Sequence, residues 1–121
     1  METKKEIIDF INTTRGVFIN NINTSYSNIN KSKDVWWFNI RKDKFNKDVH
    51  LLLNSENKVI WIKLKKGFII NPNKAFKLRE DIEAYDIEIS ANRSFNYLKD
   101  IKSGGTNFNF KEFIEETIQK Q

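Results

Sequence analysis

The sequence predicts a single α+β domain over residues 1–121, built as an antiparallel sheet of four to five strands with an N-terminal helix and two C-terminal helices. Three observations predict it. Thr3 and Glu6 stand at capping-box spacing ahead of Ile7, Ile8 and Ile11, the arrangement in which two side chains satisfy free backbone donors at a helix start. The middle of the chain alternates aromatic and β-branched residues with polar ones, which is the period of a strand. Toward the C-terminus the apolar residues return to a spacing of three and four. Helices at both ends with hairpins between pack naturally as α+β.

The elements follow in order. A first helix runs from about Lys4 to Thr13, with Phe10 beside the isoleucine stripe. Gly16 leaves Val17 to Ile22 open between a helical extension and a short strand, and residues 23–33 are polar and turn-rich, read as a loop. In Val35 to Arg41, Trp36, Phe38 and Ile40 share one face, and Trp37, Asn39 and Arg41 the other. Asp48 to Asn54 and Val59 to Lys65 flank Ser55-Glu56-Asn57-Lys58, a polar connection of hairpin length. In the later strand Ile60, Ile62 and Leu64 share a face opposite Val59, Trp61, Lys63 and Lys65.

Gly67 and Pro72 punctuate the next stretch, where a short strand is expected at 68–70 and a helical turn from Asn73 to Arg79. Tyr85 to Ile89 reads as the last strand. Ser90 then stands as the N-cap of a second helix with Phe95, Leu98 and Ile101 as its apolar stripe, stopped at Gly104 and Gly105. Asn109 and Glu112 open a third helix carrying Phe110, Phe113, Ile114 and Ile118 on one face.

Composition narrows the function classes. The chain has no cysteine, which removes disulfide scaffolds, zinc–thiolate sites and thiol nucleophiles. Its 39% hydrophobic and 13% aromatic content is too high for a disordered chain. No apolar run approaches the roughly 18 residues of a membrane span, so a cytoplasmic location without membrane contact is expected. The net charge of +5 is uneven: from Lys31 to Lys74 eleven Lys/Arg face four Asp/Glu, and the acids Glu80, Asp81, Glu83, Asp86 and Glu88 follow directly. Such asymmetry can steer a polyanion.

No complete catalytic set is legible. His50 is the only histidine and has no carboxylates at ligand-like spacing, so it reads as a sheet-face residue. Asp86 and Glu88 alternate along one strand face, which keeps a small metal-dependent nuclease or hydrolase using the 80–88 acids as an alternative. Ser103-Gly104-Gly105-Thr106 lacks the Gly-Lys-Ser/Thr ending of a phosphate loop and follows a helix instead of opening one. No catalytic residue, metal ligand or cofactor is assigned.

The constellation with physical pull is the basic, aromatic middle. Trp37, Asn39 and Arg41 occupy the same kind of position as Trp61, Lys63 and Lys65, each triplet opposite an apolar set suited to the core. An open sheet face of flat rings and cations binds nucleic acid by stacking bases and neutralising phosphates. Lys42, Lys44, Lys47, Lys58 and Lys66 lie at its rim. The expected function is therefore a non-catalytic domain binding DNA or RNA. A protein-interaction or homodimerising module is the alternative. Against the platform stands the tendency of tryptophan to pack in a core and of lysine to lay its stem along a buried face.

Overall fold

In the computed structural model, which describes residues 1–69 and 71–121, the capping box forms at the start of α1 (Lys4–Arg15). The Glu6 backbone N–H donates to Thr3 Oγ1 at 3.2 Å, and the Glu6 carboxylate accepts the Thr3 N–H at 3.1 Å. The helix ends where Gly16 turns left-handed at φ 64° and its N–H donates to the Asn12 carbonyl, a conformation that glycine adopts without a Cβ penalty. The chain then doubles back along the helix. The Asn12 side chain accepts from the Ile19 N–H at 2.8 Å and donates to the Ile19 carbonyl at 2.9 Å.

Among the described residues eight strands follow: β1 (Thr24–Ser27), β2 (Ile29–Asn30), β3 (Val35–Arg41), β4 (Val49–Asn54), β5 (Lys58–Leu64), β6 (Lys77–Arg79), β7 (Ala84–Ser90) and β8 (Ile114–Gln119). They form two four-stranded sheets, ordered β1-β4-β5-β8 and β2-β3-β7-β6. Every pairing is antiparallel except β1 with β4, which run parallel with Thr24 opposite His50. Only Asn28 separates β1 from β2. The polar stretch expected to be a loop is thus largely one extended segment that leaves the first sheet and enters the second.

The alternation read from the sequence sets the interior. Trp36, Phe38 and Ile40 of β3 and Tyr85, Ile87 and Ile89 of β7 meet Leu51 and Leu53 of β4 and Ile60, Ile62 and Leu64 of β5. A second cluster lies on the outer face of the first sheet, where Ile7, Ile8 and Ile11 of α1 cover Leu52, Val59, Trp61 and Ile118. With both faces of that sheet covered, all six residues of β4 are buried, as expected for a strand packed on two sides.

Two features of the expected architecture are corrected. The strands form two sheets, not one, and no α-helix other than α1 forms among the described residues. The two C-terminal helices do not exist. Ser90, expected to cap one of them, ends β7: its N–H donates to the Lys99 carbonyl, and its carbonyl accepts the Leu98 N–H. Asn96 and Leu98 sit at φ 50° and 64°, outside the right-handed helical region. The backbone from 98 to 110 instead pairs with β7 and with itself: Ile101 N–H to Glu88, Asp100 N–H to Phe108, and Phe110 N–H to Leu98. Long-range pairing has overridden a helical spacing. Leu98 and Phe110 enter the core, while Phe95 of the same supposed stripe is 58% exposed.

The last expected helix is a 3-10 turn, Lys111–Phe113, followed by β8. Ile114 and Ile118 are four apart, a spacing that suits a helix face or a strand equally. A register shift between Trp61 and Ile62 of β5 lets β8 place Ile114 against the inner cluster and Ile118 in the outer one. Of the strand expected at 68–70, Ile70 lies outside the described residues, and the Phe68 N–H closes a turn onto the Lys65 carbonyl. The helical turn expected from Asn73 to Arg79 is a 3-10 turn at Pro72–Lys74 that runs on to β6.

Candidate functional site

The two triplets singled out in the sequence occupy opposite sides of the molecule. Trp37, Asn39 and Arg41 lie on the outer face of the second sheet, and all three are exposed, Trp37 by half. Trp61 and Lys63 lie on the outer face of the first sheet, under or beside α1. Trp61 is only 5% exposed, and its indole N–H donates to His50 Nδ1 at 3.0 Å. Lys65 follows the end of β5 and is exposed. The six residues are not brought together as one surface.

The face bearing Trp37 is charge-compensated. In the β3–β7 register, Trp37 stands opposite Glu88 and Asn39 opposite Asp86. Asn39 Nδ2 donates to Asp86 Oδ1 at 2.7 Å, Lys33 pairs with Glu88 at 3.1 Å, and Arg79 approaches Asp86 at 4.0 Å. The acidic stretch thus lies across the sheet from part of the basic one. Asp86 and Glu88 are engaged by these partners. No group of three His, Cys, Asp or Glu able to hold a metal ion occurs among the described residues.

Two buried ionisable groups have structural surroundings. Burial pushes the His50 pKa below its ordinary value, and the Lys63 charge adds to this. Asp100 is 1% exposed, and burial pushes its carboxyl pKa up. Its Oδ1 accepts from the Glu88 and Lys102 N–H groups at 3.1 and 3.0 Å. Its Oδ2 faces Gly105, where a Cβ would sit 2.9 Å from that oxygen. Ser103-Gly104-Gly105-Thr106 therefore folds over a buried carboxylate, and the Thr106 hydroxyl is tied to the Ala75 carbonyl.

Lysine side chains collect at one end of the sandwich. The 3-10 turn Lys42–Asn46 carries the chain from β3 to β4, the turn at 65–68 follows β5, and Asn71–Lys74 lies beside them. Together they enclose a cleft of about 480 Å³ lined by Lys42, Phe45, Asn46, Lys66, Asn71 and Asn73 and floored by Tyr85. The Tyr85 hydroxyl donates to Asn73 Oδ1, and the Phe45 ring meets the Tyr85 ring edge-on at 5.5 Å. Burial, with Glu83 nearby, raises the Tyr85 pKa, so this phenol is a neutral floor.

Six lysines stand at this end: Lys42, Lys44, Lys47, Lys65, Lys66 and Lys74. Among the described residues none of them joins an ion pair, and the Arg41–Asp43 and Arg79–Asp81 pairs nearby compensate themselves. The remaining carboxylates at this end are Asp48, Glu80 and Glu83. Asp48 accepts the Lys66 backbone N–H at 2.8 Å. Lys4 joins from α1: burial first, then repulsion from Lys44, lowers its pKa. Sequence reasoning had Lys42, Lys44, Lys47 and Lys66 only as the rim of a sheet face. The signal for their grouping was that they fall in two short runs, Lys42 to Lys47 and Lys65 to Lys66, on either side of one hairpin.

No family model, curated protein or solved structure matches the chain. No helix among the described residues is long and apolar enough to cross a membrane.

Proposed function

We propose that this chain is a non-catalytic nucleic-acid-binding domain whose contact surface is the lysine-rich end of the sandwich, not the sheet face. The observation that carries the reading is the convergence of Lys42, Lys44, Lys47, Lys65, Lys66 and Lys74 from three turns, with no ion-pair partner among the described residues. Lysines held on turns at one end can neutralise successive phosphates, and the counterions released drive association. The Trp37 face supports this less well, because Asp86 and Glu88 would meet the same phosphates.

The test is equilibrium binding of labelled DNA and RNA oligonucleotides across a salt series. Affinity should fall steeply with salt, and Lys42→Glu with Lys66→Glu should weaken binding to every sequence. Each lysine lost should reduce the salt slope by about one. Absence of retention at low ionic strength, or an affinity indifferent to these reversals, would end the reading.

A further inference from the structure

We infer that the cleft at the lysine-rich end admits an unpaired base, so that the ligand class is single-stranded nucleic acid; this rests on the reading of that end as a nucleic-acid surface. The cleft's volume of about 480 Å³ lies within the roughly 300–1,000 Å³ of small-ligand sites. Its walls combine three chemistries. Phe45 and Ile69 are half-buried and apolar, Asn46 and Asn71 are exposed amides, and Lys42 and Lys66 are exposed cations. A flat heteroaromatic ring with donors and acceptors on its edge, attached to a phosphate on each side, matches all three.

The amides strengthen the case. Several asparagines elsewhere hold the fold: Asn12 bonds Ile19, Asn23 the carbonyls of Lys44 and Asp48, and Asn54 the side chains of Tyr26 and Asn28. The Asn46 and Asn71 side chains have no hydrogen-bond partner among the described residues, and Asn73 uses only its oxygen, as acceptor from Tyr85. Asn46 and Asn71 line the cleft and are exposed, so their amides are open to a ligand there. A duplex cannot place a base in the recess, because its bases are paired and stacked. A single strand can splay a base into the recess.

The experiment measures fluorescence anisotropy at low salt with a labelled single strand, as DNA and as RNA, and with the same strand in a duplex. Native protein, Asn46→Ala/Asn71→Ala and Lys42→Glu/Lys66→Glu are compared, each first shown folded by circular dichroism. Native protein should prefer the single strand by about tenfold, the size of one or two hydrogen bonds to a base edge. The asparagine variant should lose that preference while keeping duplex affinity and salt slope, and the lysine variant should weaken both. Equal, salt-dependent affinity for single strand and duplex would overturn base entry and leave the lysine surface standing. An asparagine variant that keeps the full preference would also overturn it. Failure of native protein to bind either form would remove both readings.

Discussion

The indole N–H of Trp61 donates to Nδ1 of His50 at 3.0 Å beneath α1. That bond requires a neutral imidazole with its proton on Nε2, and burial favours the same state. His50→Ala should destabilise the protein by about 2 kcal/mol, because the indole N–H loses its acceptor and a void opens beside the Trp61 ring. Urea denaturation followed by tryptophan fluorescence checks it.

The same pair makes stability depend on pH. The folded pKa of His50 lies below the ordinary 6.5, so the folded state binds fewer protons than the unfolded chain. The stabilisation is therefore complete above pH 6.5 and drains away as pH falls through that value. The difference between native protein and His50→Ala should shrink from pH 8 to pH 5. A constant difference would show that His50 does not titrate on unfolding.

Asp100 works in the opposite sense. Its folded pKa lies above the ordinary 3.8, so ionisation costs more in the folded state, and stability from this group is lost as pH rises through the raised value. Asp100→Asn keeps an oxygen for the Glu88 and Lys102 N–H groups and carries no charge. It should melt at or above the native temperature at pH 7, and the gap should close toward pH 4. Asp100→Ala abandons both N–H groups and should cost about 1–3 kcal/mol at either pH.

Gly105 is required by close approach. A Cβ there would lie 2.9 Å from Asp100 Oδ2 and 3.2 Å from the Lys102 carbonyl. Neither atom is the free end of a flexible side chain. Gly105→Ala should destabilise by about 1–3 kcal/mol, read from thermal melts.

The segment 91–113 offers a contrast between two phenylalanines. Phe110 is fully buried and stacks parallel on Phe76 with ring centroids 5.9 Å apart, so Phe110→Ala should cost about 3–5 kcal/mol. Phe95 is mostly exposed, and Phe95→Ala should fall within about 0.5 kcal/mol of native. A comparable loss at both positions would contradict the non-helical path of this segment.

What the sequence made legible was local. The capping box of Thr3 and Glu6 and the inward faces of Val35 to Arg41 and Val59 to Lys65 depend on residues a few positions apart. What stayed hidden depends on distant partners. Nothing near Ser90 announces that its backbone is taken by Leu98 and Lys99, and nothing near Trp61 announces that α1 lies over it. The division of strands between two sheets is likewise a matter of which strand neighbours which. That division, more than any residue, separated Trp37 from Trp61. The lysines were visible, but their grouping around one cleft needed the crossings between sheets.

The outer cluster joins the chain's extremes: isoleucines at 7, 8 and 11 close against Ile118 with β4 and β5 between them. During synthesis α1 emerges well before β8, the strand that completes its seat. Until then Trp61, Leu52 and Val59 have only half their cover. Such dependence on distant contacts slows folding and leaves this face of the first sheet open until β8 pairs with β5.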